Sequence, residues 1–203
     1  MPPVIVKLGG SFAFSEVLID WLRALASCAG HVVIVPGGGP FADAVRVTQH
    51  RMGFDDRTAH HIALLAMEQY GRALISFSDL LSPADSLEAI EQHLSAERVP
   101  VWMPARMVLE AADIAASWTV TSDSLAAWLS SLIGADRLIL VKHVDSLSGL
   151  EHCEDLVAMG VIDEAFPRYL RKTSISASIV DPTEHARVVA AIRCGAPVGF
   201  SIK

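Results

Sequence analysis

Two short apolar segments of this chain each run directly into consecutive glycines. The first is VIVKLGGS at residues 4–11, and the second is VVIVPGGGP at residues 32–40. Runs of apolar, β-branched residues without polar alternation are typical of strands that are buried on both faces of a parallel sheet. Glycine lets backbone N–H groups approach an anion closely, and ligands of open α/β sheets bind beyond the carboxyl ends of the strands. The two segments therefore predict an α/β protein with an anion site at one edge of its sheet.

The remainder of the chain alternates between apolar runs and segments with the period of an amphipathic helix. Such alternation predicts an α/β fold with right-handed crossovers and helices on both faces of the sheet. The predicted strands are Val4–Leu8, His31–Val35, Val99–Met103, Arg137–Val141, Ile175–Val180 and Val198–Ile202. The predicted helices are Ser15–Cys28, Phe41–Met52, Arg57–Ser76 and Ser122–Ile133. The segment Ser82–Ser86 is typical of a turn that leads into a helix.

Length and composition indicate one domain with a substantial core. The 203 residues are 52% hydrophobic, and we expect a single domain, residues 1–203, whose two halves share one sheet and meet near residues 105–117. The chain has 16 basic and 23 acidic residues and a net charge of −7, which argues against nucleic-acid or anionic-membrane partners. No run of about 18 apolar residues predicts a membrane span. Three widely spaced cysteines fit a reducing cytoplasm without a disulfide framework.

The first glycine loop carries one of the four lysines in the chain. Lys7 stands at the carboxyl end of the first predicted strand, and Gly9, Gly10 and Ser11 follow it. This order suits a phosphate or carboxylate ligand, because a cation and free N–H groups then lie close together. The alternative is a tight turn beside a lysine that reaches solvent, and the local sequence leaves both interpretations open.

The second loop places Gly37, Gly38 and Gly39 between a buried strand and a helix that begins near Pro40. A helix N-terminus offers free N–H groups and the positive end of the helix dipole, and both favour a bound anion. The alternative is a purely structural glycine-rich connection. Neither loop has the spacing of a Walker A motif or of a dinucleotide-binding fingerprint.

A third element, TVTSDSLAA at residues 119–127, opens a predicted helix with Ser122 as its N-cap and Asp123 in its first turn. A carboxylate there can hold a lysine ammonium at the same sheet edge, although such an aspartate more commonly compensates the helix dipole. The pairs His60–His61 and His152–Cys153 lack a partner at metal-site spacing, so no protein metal site is predicted.

Taken in order, VKLGGS, VPGGGP, TSDSLAA and the strand GADRLILV resemble the amino acid kinase superfamily across nearly the whole chain. The resemblance implies a three-layer αβα sandwich with a mainly parallel central sheet. It also implies transfer of the γ-phosphoryl group of ATP to a carboxylate, carbamate or phosphate. SWTVTSDS together with VIDEAFPRYL is similar to the kinases of methanofuran biosynthesis, which implies aminomethylfuranmethyl phosphate as one acceptor. Residues 1–115 would then bind the acceptor and residues 116–203 the nucleotide, and a homo-oligomer is expected.

The resemblance also implies a role for each motif residue. Lys7 would stabilise charge on the transferred phosphoryl group, and Asp123 would orient the catalytic cations. ATP, with Mg²⁺ bridging its phosphates, would be held by Gly9, Gly10, Ser11, Lys142 and Asp145. The acceptor would be held by Gly37, Gly38, Gly39 and Ser122. Phosphoryl transfer requires positioning and charge neutralisation more than a nucleophile on the protein, which agrees with these residue types.

Two departures from the family pattern bear on nucleotide use. After the strand that ends at Val141, the family's usual T-D-V-D-G is replaced by K-H-V-D-S, so Lys142 and His143 stand where threonine and aspartate are usual. The best match for the family's later catalytic lysine is Arg168, which follows Pro167. Arg168 is therefore predicted as a second catalytic cation, with a solvated surface arginine as the alternative. The departures also leave open a catalytically altered protein that binds a phosphorylated ligand or regulates a partner.

Overall fold

One central sheet organises the computed structural model, which describes residues 2–144 and 152–202. Its strands are β1 (Val4–Leu8), β2 (Val32–Pro36), β3 (Leu81–Ala84), β4 (Val99–Trp102), β5 (Arg137–Val141), β6 (Ser176–Val180) and β7 (Phe200–Ile202). The helices are α1 (Glu16–Ala26), α2 (Gly39–Met52), α3 (Asp56–Ile75), α4 (Leu87–Ser95), α5 (Ala105–Glu110), α6 (Ser122–Leu132), α7 (Cys153–Ala158), α8 (Phe166–Leu170) and α9 (His185–Cys194). Short 3₁₀ helices cover Gly10–Phe12 and Pro182–Glu184.

The strand order is β3-β4-β2-β1-β5-β6-β7, and each strand is parallel to its neighbours except β7, which is antiparallel to β6. The chain winds from β1 toward β3 and β4 on one side, and then crosses back to place β5 on the other side of β1. The direction of winding therefore changes beside β1. In open α/β sheets a ligand crevice forms beyond the carboxyl ends of the strands at such a point.

Successive residues of the central strands point to opposite faces of the sheet, and both faces are covered by helices. Ile5 lies in one apolar cluster together with residues of α3, α5 and α6, whereas Val4 and Val6 lie in a second cluster with residues of α1 and α9. Every residue of β1 and β2 is buried, which explains their continuous apolar sequence. The fold is thus the three-layer αβα sandwich that the sequence predicts.

The strand prediction misses one strand, the edge strand β3, and the other predicted strands agree with the observed bounds to within two residues. Residues 82–84, assigned to a turn, belong to β3, and the predicted helix start follows it: Ser86 caps α4 by accepting a hydrogen bond of 3.1 Å from Ala89 N. The local sequence does not indicate this strand, because Pro83 is typical of turns. Proline is tolerated here because β3 pairs only with β4, so its missing N–H group does not interrupt a central ladder. Among the described residues, no helix has the length and apolar character needed to cross a membrane.

Candidate active site at the carboxyl ends of the strands

The two glycine loops touch each other through their backbones. Gly37 N donates a hydrogen bond of 2.8 Å to Leu8 O, which joins the end of β1 to the start of the second loop. A Cβ atom on Gly10 would lie 2.2 Å from Gly39 N, and one on Gly37 would lie 2.7 Å from Gly10 N. Gly39 has a φ of +55°, a left-handed conformation that glycine adopts at little cost. The glycines are therefore required for the close approach of the two loops.

Each of the two loops leads directly into a helical turn. The 3₁₀ helix begins at Gly10 and α2 begins at Gly39, and the first N–H groups of a helix have no acceptor within that helix. Ala42 N already donates to Gly38 O at 3.2 Å. The loops thus join two helix N-termini at one edge of the sheet, where an anion is favoured.

A buried carboxylate lies between two lysines at this edge. Lys7 Nζ lies 2.8 Å from Asp123 Oδ1, and Lys142 Nζ lies 2.5 Å from Asp123 Oδ2. Lys7 is 6% exposed and Asp123 is 3% exposed. Lys142 Nζ also donates to the backbone carbonyl of Val161. The structure therefore brings together Lys7 from β1, Asp123 from α6 and Lys142 from the end of β5.

Burial and charge oppose each other in this cluster. Burial alone would raise the pKa of the Asp123 carboxyl, but the ammonium groups of Lys7 and Lys142 outweigh it and hold that pKa below its ordinary value. The pKa of Lys142 is lowered, first by burial and then by the charge of Lys7, although Asp123 acts in the opposite direction. Asp123 is therefore an anion at neutral pH that holds two cationic side chains in place.

Asp163 anchors the helix that carries Asp123. Its Oδ2 accepts hydrogen bonds from Thr121 N at 3.0 Å, Thr121 Oγ1 at 2.7 Å and Ser124 N at 3.0 Å. Its Oδ1 accepts from Ser124 Oγ and from Phe166 N. The prediction of Ser122 as the N-cap is wrong, because Thr121 occupies that position and the distant Asp163 satisfies the free N–H groups. No local pattern marks Asp163, since its partners at α6 lie about forty residues away along the chain.

One cavity, of about 590 Å³, lies beside the lysine pair. Its lining combines Lys7 and Lys142 with the first glycine loop and with the loop that follows α7. It is lined by Lys7, Gly9, Gly10, Ser11, Val141, Lys142, His143, Val144, Met159, Gly160 and Val161. We call it the lysine cavity. Its two ammonium groups and its loop N–H groups favour a polyanionic ligand.

A second cavity, of about 310 Å³, adjoins α2, α3 and the start of α6, and it shares Gly10 and Ser11 with the first. Gly38, Gly39 and Ser122 contribute polar lining, Asp43 and Arg46 contribute charged lining, and the apolar lining includes Leu64, Met67, Val120 and Leu125. We call it the small cavity. His60 also lines it and is 8% exposed. The two cavities meet at the first glycine loop, as two substrates must for a group to pass between them.

Two of the remaining predicted site residues line neither cavity in the described part of the chain. Arg168 is exposed on α8, with its guanidinium carbon 5.7 Å from the ring centre of Tyr169, and it is absent from the described lining of both cavities. Asp145 lies outside the described residues. Gly37 touches the first loop but lines neither cavity in the part of the chain that is described. Within 2–144 and 152–202, no three His, Cys, Asp or Glu side chains form a candidate metal site.

Sequence comparison identifies the class of protein. Residues 2–149 match the sequence profile of the Amino acid kinase family, and the chain belongs to that family. Over 198 residues the chain is 26% identical to the (5-(aminomethyl)furan-3-yl)methyl phosphate kinase of Methanocaldococcus jannaschii, covering 91% of this chain and 90% of that protein. The resemblance drawn from the motifs is thereby confirmed.

Solved structures agree with this assignment. The uridylate kinase from Archaeoglobus fulgidus superposes with a TM-score of 0.73 at 21% identity, over 99% of this chain and 100% of that one. The UMP kinase from Bacillus anthracis gives 0.71 at 15% identity, over 100% and 96% of the two chains. An isopentenyl phosphate kinase in a substrate complex gives 0.62 at 14% identity, over the whole of both chains. The chain is accordingly a small-metabolite kinase, a phosphotransferase that uses a nucleotide substrate.

Proposed function

We propose that the chain transfers the γ-phosphoryl group of ATP to the phosphate of a small phosphate monoester. The proposed acceptor is aminomethylfuranmethyl phosphate, because the similar protein of Methanocaldococcus jannaschii is the kinase of this compound. The observation that carries the proposal is the junction of the two cavities at Gly10 and Ser11, beside the buried Lys7–Asp123–Lys142 cluster. ATP occupies the lysine cavity and the acceptor phosphate occupies the small cavity. The same proposal places the reaction in the biosynthesis of a methanofuran-type cofactor.

The lysine cavity suits the phosphates of ATP. Gly9, Gly10 and Ser11 supply N–H donors, and Lys7 and Lys142 supply charge. Both Asp123 oxygens are occupied by the lysines, so this carboxylate anchors cations and is not left free to bind a metal. Mg²⁺, when bound, is held through the ATP phosphates, where it neutralises their charge. Asp145 is a further candidate nucleotide contact.

Two protein cations flank the reacting phosphoryl group in this proposal. The transferring group carries negative charge on its non-bridging oxygens, and fixed cations stabilise that charge in a site from which water is excluded. Lys7 is one such cation. Lys142 takes the place of the second, because it shares Asp123 with Lys7 whereas Arg168 is exposed on α8. A catalytic role for Arg168 stays a prediction without a supporting contact.

The acceptor side requires positioning but no strong general base. An ionised phosphate oxygen is itself a nucleophile, so it attacks the γ-phosphorus without first losing a proton to the protein. A P–O bond forms between acceptor and γ-phosphorus, the bond from that phosphorus to the bridging β,γ-oxygen breaks, and ADP leaves with the electron pair. Gly38 and Gly39 hold the acceptor phosphate at the N-terminus of α2, beside Ser122.

The proposal also includes a cytoplasmic location and a homo-oligomeric state. The free thiols of Cys28, Cys153 and Cys194 suit a reducing cytoplasm. Exposed apolar side chains on α2 and α3, among them Val47, Met52 and Leu65, suit a homo-oligomer.

The direct test is a reaction of the purified chain with ATP, Mg²⁺ and aminomethylfuranmethyl phosphate, followed by ³¹P NMR. The expected result is a new diphosphate product formed in equal amount to ADP. If ATP stabilises the protein against heating but aminomethylfuranmethyl phosphate is not converted, the assignment of this acceptor is wrong. If neither ATP nor the monoester binds, the assignment of both cavities is wrong.

A paired substitution checks the site within the same assay. Lys7→Met keeps much of the side-chain length but removes the charge, and we expect kcat to fall by about 100-fold or more, the typical effect of losing one group that stabilises the transition state. Lys172→Met is the control, because this lysine is half-exposed and lies 4.0 Å from Asp113. Equal turnover by the Lys7 variant and the control would remove Lys7 from the mechanism.

A further inference from the structure

An unpaired carboxylate faces the small cavity. Asp43 lies in the second turn of α2, is exposed and lines the cavity. Across the described ranges, Asp43 has no ion-pair partner. This is unexpected, because an arginine three residues further along the same helix, Arg46, is well placed to pair with it.

Arg46 is held away from Asp43 by an aromatic ring. Its guanidinium carbon lies 3.9 Å from the ring centre of Trp118, and Trp118 Nε1 donates a hydrogen bond of 2.7 Å to Gln49 Oε1. Stacking of this kind is favourable for arginine.

The same spacing produces pairs on other helices of the chain. Asp20 and Arg23 lie 3.8 Å apart, and Glu184 and Arg187 lie 2.6 Å apart. Asp43 is thus left unpaired by a specific arrangement of Arg46, Trp118 and Gln49, and its carboxylate is available to a ligand in the cavity.

Two parts of α2 that line the small cavity thus favour groups of opposite charge, while Arg46, which also lines it, is held against Trp118. Gly39 at the N-terminus of α2 favours an anion, whereas Asp43, four residues later, favours a cation. Four residues of α-helix advance about 6 Å along the axis. The side chains of Leu64, Met67 and Leu125 form apolar lining in the same cavity. A ligand that matches all three features has a phosphate, a small apolar body and a cationic group about 6 Å further along.

We infer that Asp43 binds a primary ammonium group on the acceptor and so determines the substrate specificity of the enzyme. The inference rests on the proposed function, because it places the acceptor phosphate at Gly38 and Gly39. Asp43 is solvated in the free protein, but an acceptor bound in the cavity covers its carboxylate; an ammonium group then pairs with it, whereas a neutral isostere leaves it unpaired and partly removed from water. The enzyme should therefore discriminate between amino and hydroxyl acceptors of the same size.

The test compares two ligands in binding, without ATP. Isothermal titration calorimetry uses aminomethylfuranmethyl phosphate and its alcohol analogue, in which a hydroxyl replaces the amino group. The wild-type protein is expected to bind the amine about tenfold or more tightly than the alcohol, the discrimination typical of one charge-assisted hydrogen bond. Asp43→Asn is expected to reduce that ratio to about one, and Asp43→Glu to restore part of it.

Two control variants separate specificity from general effects. Asp20→Asn removes an exposed carboxylate from α1 and should leave both affinities unchanged. Arg46→Met removes a cation that lines the cavity and stacks on Trp118, so the amine-to-alcohol ratio should not fall in this variant as it does in Asp43→Asn.

The outcomes distinguish the inference from the proposed function. A wild-type ratio near one, or a ratio that Asp43→Asn leaves unchanged, overturns the role of Asp43 even if the amine is phosphorylated in the presence of ATP. Discrimination that depends on Asp43 supports the role even if no phosphoryl transfer follows, in which case the catalytic proposal alone fails.

Discussion

Lys142 and Lys7 bind opposite oxygens of one buried carboxylate, at 2.5 Å and 2.8 Å from Asp123. One lysine follows β5 directly and the other belongs to β1, so the pairing of these two strands sets the separation of the two cations. Asp123 enters between them from the first turn of α6. The cluster therefore contains two cations, whereas Arg168, the best sequence match for the family's later lysine, is exposed on α8.

We predict that Lys142 and not Arg168 supplies this second charge. Lys142→Met should lower kcat/KM for phosphoryl transfer by about 100-fold, because a fixed cation at the reacting group is lost. Arg168→Met should change kcat/KM by less than about threefold, as expected of a solvated surface charge. Steady-state kinetics on both variants check the prediction. A large loss in Arg168→Met that Arg168→Lys rescues would instead favour the catalytic role that the family pattern implies for Arg168.

The pH dependence of the reaction should report the environment of Lys142. Burial and the charge of Lys7 lower its pKa, so it loses its proton at a lower pH than an exposed lysine does. We expect kcat/KM to fall on the alkaline side as this proton is lost. Lys142→Arg, whose guanidinium stays charged, should move that fall to higher pH even if its activity is reduced. An alkaline limb identical in both proteins would show that another group titrates there.

Most of the fold could be predicted from local pattern. β1 and β5 have the predicted bounds because each is a short apolar run that pairs on both sides. The helices α1, α2, α3 and α6 lie where the 3.6-residue period places them. The local pattern does not predict β3, because Pro83 is typical of turns. The strand forms through its pairing with β4, which the local sequence does not show. α9 follows the turn at Pro182 and was not predicted.

The site could be predicted only where its residues belong to local motifs. Lys7, Gly10, Gly38 and Asp123 each follow a strand or open a helix, and parallel strands bring such positions to the same sheet edge. Asp163 and the contact of Lys142 with Asp123 could not be predicted, since both depend on how distant segments pack.

Asp163 should act on the reaction through Asp123. Its carboxylate accepts hydrogen bonds from both the backbone and the side chain of Thr121. Asp163→Asn replaces one carboxylate oxygen with an NH₂ group, which is a donor and cannot accept hydrogen bonds from its neighbours. We expect a loss of about 1–3 kcal/mol in the free energy of unfolding, measured with urea, because buried donors lose their partner.

We also expect Asp163→Asn to lower kcat more than it raises KM for ATP, because the lysines stay charged but the helix that carries Asp123 shifts. A variant that is destabilised by this amount yet has wild-type kcat would restrict Asp163 to a structural role. Asp55→Asn is the control, since Asp55 caps α3 by accepting a hydrogen bond of 2.7 Å from Thr58 N and is absent from the described lining of both cavities.

Gly10→Ala should damage both stability and activity. The new Cβ would lie 2.2 Å from Gly39 N, so the two loops must separate. Overpacking of this kind typically costs about 1–3 kcal/mol, and the displaced loops would lower kcat/KM for both substrates. Gly53→Ala is the matched control, because Gly53 has a φ of +73° at the end of α2 with nothing within 4 Å of a new Cβ.

The control should lose only the roughly 1–2 kcal/mol that a left-handed alanine costs, with activity unchanged. Urea unfolding and steady-state kinetics measure the two effects. Wild-type activity in Gly10→Ala would show that the close contact of the loops is not needed for the reaction.

His60 should make the protein less stable as the pH falls. Burial, and to a smaller extent the charge of His61, lower the pKa of His60 from its ordinary value of 6.5. Between the lowered pKa of the folded state and the higher pKa of the unfolded state, the unfolded chain binds more protons, so the free energy of unfolding decreases as the pH decreases through this window. Above it, both states hold a neutral imidazole and the contribution is constant.

His60→Gln removes this group, so its free energy of unfolding should fall less than that of the wild-type protein between about pH 7.5 and pH 5. Urea unfolding at a series of pH values measures the difference between the two curves, which should be constant at the alkaline end and should shift in favour of the variant as the pH falls. Parallel curves for His60→Gln and the wild-type protein would show that His60 has the same pKa in the folded and unfolded states. Burial of His60 in the small cavity would then not oppose its protonation.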